Sequence, residues 1–400
     1  MSWFGGNIAH GSMVPMNDDC NMAAFSDWLV KVSRAVRWLT TIRPIRSPGW
    51  ATAILLSLPC ACGPVLSSAP TASDGRYFAR ISIDLEARHL LLTDCGKSTS
   101  VFDDCDLLSL DLMNGRLSRY VLGEERLLEG SYSSHGDEIM VVATSAAQGS
   151  APSDAAEDSR IGMMHPDGSG WRLLNEPLGG ISGPVVSPDG KRVAYWRGVP
   201  RPPGSKTFAA DHNVYEYDMT SGQETLFAGP FDFFEKTGII YLSADRLLLG
   251  AYGPRQYAED MTKYDQANSR SAVYVIERGA TTLPRPVLRD VTGAEFPNKD
   301  AADNTYFVGE RPGIAFFRRS PDGAVTQWTA LAANIGNGIR DVAVASNGKA
   351  VAYLFDPASD PFHVDRSKSP QVGMLDTGTG AWRTVEVPPT ATASKITVQQ

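Results

Sequence analysis

The chain of 400 residues has only five cysteines and six histidines, and none stand in a Cys-x-x-Cys or Cys/His pattern that would hold zinc. No apolar run approaches the roughly 20 residues needed to cross a bilayer. There is no Gly-x-Ser-x-Gly elbow, no glycine loop that could cradle phosphate and no His-Glu-x-x-His pair, so no catalytic, cofactor-binding or metal-binding residue is assigned. Nor is there an excess of positive charge. Lysine and arginine number 37 against 45 acids, a net charge of −8, and the balance is more acidic beyond residue 62 because the leader is basic. That is the wrong sign for neutralising phosphates, which excludes nucleic acid as a partner.

What is abundant is glycine (37), proline (26) and apolar side chains, at 42% of the chain. Such a composition can bury a core and turns often, which excludes a disordered chain and disfavours long helices. Residues 1–49 show no clean apolar period and read as a weakly structured basic leader. Residues 50–68 follow as an export signal or anchor, with about a dozen nearly uncharged residues after a basic stretch, ended by Pro59. Met22 is a better start for such a signal than Met1. Leu58-Pro59-Cys60-Ala61-Cys62-Gly63 resembles a bacterial lipoprotein signal, which implies Cys62 as the lipidated residue. Pro59 stands where that signal usually has an aliphatic side chain, so cleavage near Ala61 or Ser67 stays open. Export would place the chain in the periplasm or at the outer membrane, held there by a lipid if Cys62 is the anchor and by nothing else in the membrane.

Cys95 and Cys105 flank two apolar runs, Leu90-Leu91-Leu92 and Leu107-Leu108-Ser109-Leu110. If those runs pair as neighbouring strands, the two sulfurs face each other. A bridge closing so short a loop is worth roughly 2–3 kcal/mol and persists only in an oxidising compartment.

After a linker at 69–75, residues 76–390 repeat. The clearest unit is Val185-Val186-Ser187-Pro188-Asp189-Gly190-Lys191-Arg192-Val193-Ala194-Tyr195-Trp196, two β-prone runs around a tight turn. A second hairpin follows in each unit, with its turn at Gly115, Gly168, Gly222, Gly279, Gly323 and Gly380, at successive spacings of 53, 54, 57, 44 and 57 residues. Two hairpins make four strands, and a four-stranded sheet with two apolar faces must stack on copies of itself. The expectation is an all-β propeller of six blades, at about 76–128, 129–178, 179–229, 230–289, 290–333 and 334–390, with a tail at 391–400. Seven blades is the alternative, should Lys395-Ile396-Thr397-Val398 add sheet.

Ser187-Pro188-Asp189-Gly190-Lys191 followed by Val193-Ala194-Tyr195, and Val214-Tyr215-Glu216-Tyr217-Asp218 through Gly222, resemble the TolB-type (WD-like) propeller repeat. The resemblance implies a periplasmic or surface propeller, commonly non-enzymatic and used for protein contacts. It also covers propellers attached to peptidase domains, for which residues 391–400 leave no room.

Inserts at 146–159, 198–211 and 252–271 fall between the second and third strands of their units and would share one face of the ring. His89, His135, His165 and His212 are scattered and read as structural. His363, between Asp360 and Asp365, is the most site-like. Asp103, Asp104 and Asp106 could attract calcium, but their spacing matches no EF-hand, and no cofactor is assigned. Trp171, Trp328 and Trp382 follow glycine turns and read as packing between blades. The expected function is a non-catalytic scaffold binding another envelope protein or cell-surface component. The alternatives are a lyase or hydrolase in the central channel and a carbohydrate-binding propeller. The inner strands look mostly apolar, which weighs against the enzyme; several carboxylates or histidines converging there would revive it.

Overall fold

The computed structural model describes residues 76–96, 105–123, 125–133, 136–145, 158–176, 178–199, 211–231, 233–254, 271–288, 292–310, 314–328, 339–356 and 370–399. All belong to the second of two units, which begins at Ser67. They form a six-bladed β-propeller.

The first blade comprises β1 (Arg76–Ile83), β2 (His89–Gly96), β3 (Cys105–Asp111) and β4 (Leu117–Val121). The second has β5 (Arg126–Tyr132), β6 (Ile139–Thr144), β7 (Arg160–Met164) and β8 (Arg172–Leu173), and the third β9 (Ile181–Val186), β10 (Arg192–Val199), β11 (Asp211–Asp218) and β12 (Gln223–Leu226). The fourth has β13 (Phe233–Ser243), β14 (Arg246–Pro254) and β15 (Ser271–Glu277), with Val287 N donating to Val273 O along its outer edge. The fifth is β16 (Thr292–Lys299), β17 (Thr305–Glu310), β18 (Ile314–Arg319) and β19 (Val325–Trp328). The sixth is β20 (Ile339–Val344), β21 (Ala350–Phe355), β22 (Gln371–Asp376) and β23 (Trp382–Val385). Within each blade, successive strands pair antiparallel.

The core is six clusters, one between each pair of adjacent blades. Leu90, Leu92 and Leu108 of the first blade meet Ala343, Ala352 and Leu354 of the sixth. One residue out of phase, Leu91 and Leu107 meet Ile139 and Val141 of the second. Met140 and Val142 in turn face Val193 and Tyr195 of the third. The series continues with Trp196 against Leu249, Leu248 against Phe307, and Phe316 against Tyr353. Side chains alternate across a strand, so a middle strand with a blade on either side is apolar throughout. Accordingly β6 and β21 are buried at every position. Each fully buried Leu, Val or Phe contributes roughly 1.5–3 kcal/mol, and none would be shielded in an isolated blade.

The turns follow the sequence. Ser187 Oγ donates to Asp189 Oδ1 at 2.6 Å and accepts from Arg192 N at 3.0 Å, which closes the Ser-Pro-Asp-Gly turn around Gly190 at φ +69°. The six second-hairpin glycines, from Gly115 to Gly380, likewise have positive φ. Trp171 is buried because Gly162 leaves room: a Cβ there would lie 2.2 Å from the indole.

The C-terminal residues do not begin a seventh blade. β24 (Ser394–Thr397) lies parallel to β4 on the outside of the first blade. Beyond it, Gln399 N donates to Gly168 O and Trp171 N donates to Gln399 O, so the last residues, coming from the sixth blade, tie the first blade to the second. Cys95 and Cys105 are directly opposed in the β2–β3 register and form a disulfide.

Candidate functional site

The innermost strands β1, β5, β9, β16 and β20 each have a free edge toward the axis, as does β13 beyond Phe233, which pairs with His212 of β11; a free edge is a row of backbone groups that needs partners. Backbone and side-chain groups of adjoining blades bond one another there. Tyr132 N donates to Ser82 Oγ, and Ser131 Oγ donates to Pro184 O. Lys236 Nζ donates to Ser182 Oγ, Phe296 N donates to Thr237 Oγ1, and Asn298 Nδ2 donates to Val342 O. Ile81 N donates to Asp341 Oδ2 at 2.9 Å and Gly183 N to Glu129 Oε1 at 3.1 Å. Together these bonds cross all six blade junctions.

Every innermost strand also slips register against its neighbour. Ala79, Leu128, Thr237 and Arg340 are extra residues opposite β2, β6, β14 and β21, and β9 and β16 are irregular at corresponding places. A bulge re-aims the side chain beside it. The residues next to these bulges are Arg80, Glu129, Lys236 and Asp341, from the first, second, fourth and sixth blades. All four line one cavity of about 440 Å³, within the range of small-molecule sites. Its walls continue to Ser133, Pro188, Asp300 and Ser346, at the short turns that end the inner strands.

The charges are unevenly placed. Arg80 Nε lies 3.7 Å from Glu129 Oε1 and its Nη1 3.9 Å from Asp341 Oδ1, loose pairs that leave water access to the guanidinium. Burial works against the Arg80 charge, but the two acids outweigh it and raise its pKa. Burial also lifts Asp341 to about 6, against the pull of Arg80 and the Ile81 amide. Lys236 is lowered to about 8, first by burial and then by repulsion from Arg80. Among the described residues its only hydrogen bond is to Ser182, and no carboxylate lies within salt-bridge distance of it. His212, in β11, is half-buried, and its desolvation pushes it down to about 3, with Lys236 a lesser cause; among the described residues its buried Nδ1 has no partner. A second buried charged cluster is fully used by the fold: Glu216 accepts from Tyr241 Oη at 2.7 Å and from Arg278 Nη2 at 2.8 Å.

This lining differs from the apolar one expected from the inner strands. The signal was there, because Ala79-Arg80-Ile81, Leu128-Glu129-Gly130 and Arg340-Asp341-Val342 each put a charge just before the inward-facing run. Only alignment of the units' first strands would bring them out. Of the sites singled out from the sequence, Cys62, His135, Asp360, His363 and Asp365 lie outside the described residues, as do most of the three inserts, Asp103 and Asp104. Asp106 pairs with Arg119 at 3.6 Å. His89 Nδ1 bonds Asp84 Oδ2 at 2.9 Å and His165 Nδ1 bonds Asp137 O at 3.1 Å, so both hold turns. Trp328 and Trp382 pack partly buried against the cluster between the fifth and sixth blades.

No protein-family model and no curated protein match the sequence. Among solved structures, TolB from Acinetobacter baumannii superposes with a TM-score of 0.50 at 11% identity, over 81% of this chain and 66% of that one. The fold is a TolB-like six-bladed propeller. The chain thus spans just under two thirds of that TolB. An oligogalacturonate lyase from Vibrio parahaemolyticus matches at TM-score 0.45 and 10% identity, over 77% of each chain. The propeller domain of the Trilobed protease from Pyrococcus furiosus matches at 0.42 and 12%, over 78% of this chain and 99% of that one. At such identities the TolB likeness is one of fold, and function has to be argued from the site.

Proposed function

We propose that this chain is an exported, non-catalytic propeller that binds another envelope protein, with the central channel as its recognition site. The observation that carries this reading is the convergence of Arg80, Glu129, Lys236 and Asp341 from four blades on one cavity. A rigid ring holding mixed charges in fixed positions suits recognition, since little ordering entropy is lost on binding. Export is supported by the Cys95–Cys105 disulfide and by the leader, with a lipid at Cys62 as the membrane attachment. The test is a crosslinking pull-down from envelope fractions with the native chain, with Cys62→Ala, and with Lys236→Met combined with Glu129→Gln. The reading expects a partner retained by the first two (the second released from the membrane) and lost by the third. The same partner on the channel variant would place recognition elsewhere, and a cytoplasmic native protein would end the export claim.

A second reading, a lyase or hydrolase in the channel, has one observation in its favour. Asp341 at about 6 and Lys236 at about 8 bracket neutrality, where an acid–base pair works best. It expects turnover of an envelope or extracellular polymer that Asp341→Asn abolishes. Retention of that activity by Asp341→Asn would reject it.

A further inference from the structure

Six charged side chains line the cavity. Lys299 and Asp300 of the fifth blade are taken up locally, Lys299 by Asp303 and Asp300 by Ala302 N, Asn304 and Tyr306 Oη, and the other four give the cavity two electrically different halves. In a six-bladed ring, the first blade faces the fourth. Arg80 of the first stands between the acids of its neighbours, Glu129 of the second and Asp341 of the sixth, so that half carries one net negative charge. Across the axis, Lys236 of the fourth blade has, among the described residues, only the Ser182 hydroxyl of the third as its hydrogen-bond partner; Glu129 attracts it, but not at salt-bridge distance, which leaves that side positive. Ile81 N uses Oδ2 of Asp341 and Gly183 N uses Oε1 of Glu129, so Oε2 of Glu129 is left for another donor. Oδ1 of Asp341 faces Arg80 Nη1 at 3.9 Å, a loose pair, and the Val342 amide also holds this carboxyl, whose oxygens can each accept more than one donor. A cation alone would be opposed by Lys236 and Arg80, and an anion alone by the two acids. A ligand with one charge of each sign, separated along its length, meets both halves.

Resting on the reading that the channel is the recognition site, we propose that it takes a small zwitterion with a free ammonium and a free carboxylate at its ends, the chemistry of an unblocked short peptide. The ammonium lies against the Glu129 and Asp341 side, and the carboxylate against Lys236.

The test uses the whole protein and four forms each of di-, tri- and tetraglycine: unblocked, N-acetylated, C-amidated and blocked at both ends. Binding is measured by calorimetry at millimolar peptide. The unblocked form at the best-fitting length should bind roughly tenfold or more tighter than either singly blocked form, since each block removes one charge-assisted contact. Lys236→Met should erase the discrimination against amidation and leave that against acetylation. Asp341→Asn, which keeps an acceptor for the Ile81 amide, should weaken the discrimination against acetylation alone. Equal affinity for unblocked and doubly blocked peptides, or no binding of any form, overturns the inference. In that case a pull-down partner still lost by the channel variant would leave the recognition reading standing, whereas a partner retained by that variant would remove both.

Discussion

The inner and middle strands of the blades solve different problems with the same backbone. Middle strands such as β6 and β21 are sandwiched between neighbouring blades and buried at every position. Their job is shielding, which any well-fitting aliphatic side chain can do. Inner strands border the channel, carry a free edge and meet water, so they hold the polar cross-links and the charges. Apolar burial is therefore concentrated in the blade walls and polar and charged groups along the axis.

Four variants would break or sharpen that contrast. The largest effect is expected in a wall. Leu354→Ala, at a fully buried position between the sixth and first blades, should cost about 3 kcal/mol in denaturant unfolding; under 1 kcal/mol would mean that the ring is not held by its walls. Replacing Cys95 and Cys105 together with alanine should cost about 2–3 kcal/mol. The native chain, but not the variant, should lose that amount on reduction.

Along the axis the effect should be smaller and depend on pH. The folded pKa of Asp341, about 6, exceeds an unfolded value of about 3.9, so the native state binds this proton more readily. The protonated form therefore favours folding below pH 4, and that contribution is lost as pH rises through 6. Asp341→Asn escapes the loss, and its stability relative to the native chain should improve by up to about 2 kcal/mol between pH 4 and pH 7. A pH-independent difference would mean that the carboxyl is not shifted. Least of all, Gly190→Ala, in the turn joining β9 to β10, should cost about 1 kcal/mol. Nothing lies within 4 Å of the added methyl, so φ of +69° is the sole cause.

Much of the fold was legible because its signals are short-ranged. The Ser187-to-Arg192 turn closes within six residues, and the six second-hairpin glycines mark the blades at near-regular intervals. The sulfurs of Cys95 and Cys105 pair because adjacent strands bring them opposite. The channel charges were legible only by aligning the first strands of the units with one another. Nothing local separates Arg80 or Asp341 from a solvated strand residue, and their inward aim comes from the bulges. The tail was half legible: Lys395-Ile396-Thr397-Val398 reads as a strand, but only the ring shows that it runs parallel to β4.

By itself, then, the sequence determined where the chain turns, how many hairpins it makes and that each sheet has two faces to hide, since these depend on neighbours along the backbone. Tertiary structure alone decided that Ile81 N would meet Asp341, 260 residues away, and that four scattered charges would share a cavity. Those distances are set by closing the ring, and closure is a property of all six interfaces at once.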